Sequence, residues 1–142
     1  MKKAFLAGFA WALTLLLLVS CQTQSGVKEV ELDHLEEAIS SFFQGVEDTN
    51  GTYMYHKGED IKYVMLNGKN THLGQEEVAF THFDVEVIED TLTIHYTEDE
   101  FSEDEAARNQ VVYEITENSD ISMVAIYKNG EESIFEVVSG GE

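Results

Sequence analysis

The sequence predicts a small, mainly β domain with one N-terminal amphipathic helix: an antiparallel β-sandwich or barrel of α+β character. Three observations predict it. Apolar residues recur at helical spacing only between Leu32 and Val46, they alternate in short runs from Thr52 onward, and Asn-Gly pairs and short polar loops punctuate those runs. Hydrophobic residues at 43% and charged residues at 25% are ordinary globular values, enough for a single modest core.

The helix rests on Leu32, Leu35, Ile39, Phe42 and Val46, whose spacings of three and four put them on one face. Asp33 with Glu36 fits a capping box at its start, and Gly45 suits its end. A lone amphipathic helix of this length needs a packed face, so its stripe is expected against the protein's own sheet.

Six or seven strands follow. Thr52 to His56 and Ile61 to Leu66 are joined by Lys57-Gly58-Glu59-Asp60 as a hairpin, and Asn67-Gly68 closes the second of them. Phe80 to Ile88 and Thr91 to Thr97 form a second hairpin. With Glu89-Asp90 as its turn, Val87 faces Leu92, Val85 faces Ile94 and Phe83 faces Tyr96, which gathers the large apolar side chains on one side. Asn109 to Thr116 alternates with Val111, Tyr113 and Ile115 on one face, and Asn129-Gly130 links strands at Ile121 to Lys128 and Glu131 to Val138.

Ahead of this domain, Lys2 and Lys3 precede an apolar run from Ala4 to Val19, the layout of an export signal. That run is shorter than the roughly 20 residues a spanning helix needs. Leu18-Val19-Ser20-Cys21 resembles the lipobox of bacterial lipoproteins. The resemblance implies a diacylglyceryl group on the Cys21 sulfur and cleavage just before it. It divides the chain into a signal peptide at 1–20, a lipidated tether at 21–32 and one acidic domain at 33–142. It also implies a lipid-anchored location on the extracytoplasmic side of the cell membrane, because two acyl chains hold durably where one holds weakly. Cys21 is the single cysteine, so the domain has no disulfide to stabilise it.

The charge excludes one function class. There are 28 Asp and Glu against 8 Lys and Arg, a net charge of −20 that becomes −22 once Lys2 and Lys3 leave with the signal. Nucleic-acid binding needs clustered cations that are absent here. The same field repels an anionic bilayer and attracts basic protein segments.

No nucleophile elbow, phosphate loop or zinc-protease helix occurs, so the sequence predicts neither catalytic residues nor a cofactor. Glu98, Asp99, Glu100, Glu103, Asp104 and Glu105 crowd one stretch but lack calcium-loop spacing and its glycine, and read as a solvated acidic loop. The hairpin register sets Asp84 opposite His95 with His82 nearby on the outer face. These are zinc-type ligands, and a metal-dependent hydrolase or divalent-cation-binding protein is the alternative reading. His34, His56 and His72 belong to no pattern and read as surface residues.

From Lys62 through Val138 the strand order is similar to the C-terminal domain of the protease-complex PrcB type. That family's Thr-Gly-Gly-Tyr turn is absent, with His72-Leu73-Gly74 near its place, so a protease partner does not carry over. The expected role is therefore that of a lipid-anchored binding or accessory protein with a protein or peptide partner, which an exposed strand edge could take up.

If the excess carboxylates act mainly by mutual repulsion, the thermal midpoint should climb as NaCl screens them. Melts at low and high NaCl test this, and a flat or falling midpoint contradicts it.

Overall fold

A computed structural model describes residues 26–71, 77–100 and 108–141. The predicted signal, Cys21, the residues from Gln22 to Ser25, the His72-Leu73-Gly74 segment and Glu103, Asp104 and Glu105 lie outside the described residues.

The chain forms β1 (Gly26–Val30), a 3-10 turn (Leu32–His34), α1 (Glu37–Val46), β2 (Gly51–Lys57), β3 (Ile61–Asn67) and β4 (Val78–Ile88). It continues through β5 (Thr91–Glu100), β6 (Gln110–Thr116), β7 (Met123–Lys128), β8 (Glu131–Ser133) and β9 (Val137–Gly141). One sheet has the order β1-β6-β3-β2-β9 and the other β4-β5-β7-β8. Among the described residues the fold is mainly β with one helix, as the periodicities predict, and the two sheets remain open, so the barrel alternative falls away.

Three layers result. Met54, Val64, Leu66, Val111 and Ile115 of the five-stranded sheet meet Phe80, Leu92, Ile94, Tyr96 and Ile126 of the other sheet in one core. On the opposite face, Ile39 and Phe43 of α1 pack on Tyr53, Tyr63, Met65 and Val112. Strand β3 is thus covered on both sides, and Lys62 through Asn67 are all buried. This explains why its sequence is a nearly continuous apolar run instead of an alternation.

The second hairpin has the predicted register: Val87 pairs with Leu92, Val85 with Ile94, Phe83 with Tyr96 and Asp84 with His95. A bulge between Phe80 and His82 inserts one residue. Phe80 and Phe83, three positions apart, therefore both reach the inter-sheet core, which strict alternation would forbid. Asn129 (φ 53°) and Gly130 (φ 83°) adopt the paired positive φ that a tight Asn-Gly hairpin requires.

Several expectations are corrected. The segment read as tether contains β1, which pairs antiparallel with β6 from Gly26↔Thr116 to Val30↔Val112. The run from Glu131 to Val138 is two strands: β8 pairs antiparallel with β7, whereas β9 crosses to the other sheet and lies parallel to β2. Strands β5 and β7 are parallel as well, so the sandwich is mixed, not purely antiparallel.

At the helix start Asp33 falls in the 3-10 turn, and Glu36 is the cap residue without a side-chain cap bond, so the predicted capping box does not form. Gly45 lies within α1 and does not end it. The carbonyls beyond the helix end are met by amides from β3 and its exit: Asn67 Nδ2 donates to Glu47 O at 2.9 Å and Asn70 Nδ2 to the same oxygen at 2.8 Å.

Phe43, fully buried, is the main link between α1 and the sheet. Phe43→Ala should cost about 3–5 kcal/mol by the transfer and cavity terms of a buried phenylalanine. Urea denaturation monitored by far-UV CD measures it; a loss below about 1 kcal/mol would show that the helix is not packed there.

Candidate functional site

The two sheets separate at one end of the sandwich, where four pieces of chain meet. These are the β2–β3 turn, the β4–β5 turn, the end of β6 and the start of β7. The crossover at 117–122 that carries the chain from one sheet to the other spans this end. Its backbone is tied to both turns: Glu117 N donates to Asp60 O at 2.9 Å and Ser122 N to Asp90 O at 2.9 Å. The Ser122 hydroxyl also bonds the Asp90 carboxylate.

Beneath this crossover lies a cleft of about 680 Å³. Its apolar lining comes from Met54, Ile121 and Val124, and its acidic lining from Glu59, Asp60, Asp90 and Asp120. His56 and Lys62 also line it, and they are direct cross-strand partners on β2 and β3. Lys62 alternates with Val64 and Leu66 on the face that forms the inter-sheet core, so the pleat carries its side chain inward.

Lys62 is only 4% exposed, and its ammonium donates to Glu59 O over 3.3 Å. Glu117, 1% exposed, accepts from Ser119 N at Oε1 over 2.9 Å. Its Oε2 is the one buried side-chain oxygen or nitrogen among the described residues without a partner. Lys62 and Glu117 do not pair with each other; the ion pairs of the described residues involve other groups. Burial, and then the adjacent Lys62, hold His56 below its ordinary value of 6.5. A neutral imidazole beside a buried ammonium results, and His56 is not the plain surface residue the sequence suggests.

On the helix side of the same sheet, Tyr63 donates to Glu114 Oε2 at 2.9 Å. Burial and that hydrogen bond push its phenol up to about 12, so it serves as a donor.

The outer face of the β4–β5 hairpin holds His82, Asp84 and His95 as the register predicts, with His82 opposite Thr97. The three do not converge. His95 Nε2 lies 3.4 Å from Glu86 Oε1, and its ring stacks on Tyr127 at 5.1 Å. Among the described residues no three His, Cys, Asp or Glu side chains are grouped to hold a metal ion. Of the predicted acidic loop, Glu98 to Glu100 belong to β5, where Asp99 accepts from the Thr81 hydroxyl at 2.8 Å and Glu98 approaches Lys128 at 3.7 Å.

No family model matches the chain, nor does any curated protein or solved structure.

Because His56 is held below its unfolded value, the unfolded chain binds the extra proton first as pH falls. The contribution of this residue to stability is present above the unfolded value and is lost as pH drops through about 6.5 toward the lowered folded value. His56→Gln should therefore flatten the acid side of the stability profile. Chemical denaturation at pH values on both sides of that point measures it, and parallel profiles for the two proteins would contradict it.

Proposed function

We propose that this chain is a lipid-anchored, extracytoplasmic binding protein that takes up its ligand in the cleft between the sheets. The observation that carries the reading is the cleft itself, an open space at the end of a packed sandwich that holds a nearly buried, sparsely bonded lysine. Structural lysines seldom sit so deep without a carboxylate partner. Ligand sites characteristically combine an apolar lining with a few convergent polar groups, and this cleft has that composition.

The β1 pairing adds an orientation. Gly26 lies opposite Thr116, which in turn lies opposite Ile61, so β1 enters the domain at the end where the cleft opens. Cys21 precedes Gly26 by five residues, a reach of at most about 18 Å of extended chain. An acyl group on that cysteine would hold the cleft end close to the bilayer, with the charge of −22 keeping the domain itself off an anionic surface. Among the described residues no helix is long and apolar enough to cross a membrane, and in this reading the anchor is the lipid.

Mass spectrometry of the processed protein from the envelope fraction should find a diacylglyceryl mass on Cys21, and Cys21→Ala should leave the precursor unprocessed or release the protein. In the acylated chain Asp120→Cys supplies a single free thiol at the cleft, and Asn70→Cys one at the opposite end of the same sheet. A fluorophore at the first should be quenched more strongly by headgroup-labelled lipid. A bare Cys21 thiol on processed protein would sink the anchoring, and equal quenching would sink the orientation.

A further inference from the structure

The charges at the cleft are not balanced by the fold. An ammonium has three donors, and Lys62 uses its own for one long bond to a carbonyl. A charge buried this far is costly unless further groups satisfy it. Glu117 Oε2, one residue past the end of β6, is buried without a partner at the same end of the sandwich, but Glu117 does not line the cleft. The accessible rim carries the opposite sign, with Glu59 and Asp60, Asp90, and Asp120 on three different connections.

These features discriminate between ligand classes. A simple anion would gain Lys62 but meet four rim carboxylates. A simple cation would gain the rim but leave Lys62 unsatisfied and close to a like charge. A molecule bearing both signs escapes both penalties. Met54, Ile121 and Val124 can cover the short apolar stem that joins its ends.

We propose that the cleft binds a small zwitterion, with its carboxylate or phosphate on the Lys62 ammonium and its amine among the carboxylates of Asp60, Asp90 and Asp120. This rests on reading the cleft as the ligand site, and it stands or falls separately from acylation at Cys21. Two sources carry the shared chemistry: free amino acids, and zwitterionic headgroups of the ethanolamine type at the bilayer surface near which the cleft is held.

The test uses the full chain in maltoside micelles, titrated with 5-aminopentanoate and with glycerophosphoethanolamine, each of which carries one positive and one negative charge. Acetate and methylammonium serve as single-charge controls, and the readout is the NMR shifts of the His56 ring and the Lys62 side chain. At least one zwitterion should move both residues and bind at least tenfold more tightly than either control. Preference for 5-aminopentanoate assigns a free amino acid as the source, and preference for glycerophosphoethanolamine assigns a headgroup; either supports the proposal. Lys62→Met should weaken binding at least tenfold. Should that variant fail to fold, Asp120→Asn on the exposed crossover should weaken binding of the zwitterion and leave that of acetate no weaker. Acetate binding as tightly as the zwitterions, no shift with any probe, or unchanged binding in a folded Lys62→Met variant would overturn the proposal.

Discussion

Burial of the central strand β3 of the five-stranded sheet on both faces is the constraint from which the remaining architecture follows. β3 contributes Tyr63 and Met65 to the helix side and Val64 and Leu66 to the inter-sheet side, so neither face can tolerate water. The helix is short and could not persist alone in solution. It is held by Phe43 and Ile39 in the apolar layer and by Asn67 and Asn70 at its exit. Asn67 sits at the end of the most buried strand, which makes a single side chain serve both the sheet and the helix terminus.

Such a doubly covered strand leaves little freedom at its ends. Where the two sheets diverge, the crossover at 117–122 must connect them, and its backbone groups find partners in the neighbouring turns. The pleat that buries Val64 and Leu66 also directs Lys62 inward, at the last place where an inward position still borders solvent. The cleft and its buried ammonium are thus products of the same alternation that builds the core. A chain with a wholly structural purpose would gain by an apolar residue at that position, since replacing a buried charge with a well-packed hydrophobe is often neutral or stabilising.

Local physics made much of the fold legible in the sequence. The β4–β5 register could be read to the residue pair, because a two-residue turn fixes which side chains oppose one another and one face had to be apolar. The Asn129-Gly130 turn was legible for the same reason. Periodicity does not say which sheet a strand joins, so the passage of residues 131–138 from one sheet to the other and the parallel pairings of β2 with β9 and β5 with β7 were hidden. β1 is a short edge strand, exposed along most of its length, with no apolar face to announce it. At the candidate site, Lys62 had a visible signal: it keeps step with Val64 and Leu66, and a lysine in phase with core residues is out of place. Its neighbours Asp90 and Asp120 come from separate turns, and only the tertiary arrangement brings them together.

The order of the five-stranded sheet also governs how the chain can acquire its shape. Its outer edges are the first and last of the described strands, β1 and β9, and the partner of β1 is β6. A polypeptide emerging from its N-terminus would have to carry β1 unmated until β6 appeared, and the flank of β2 would stay open until β9 emerged. Completion of this sheet therefore waits for β9, and until then any machinery that moves the protein in stages would handle it as an unfinished thread.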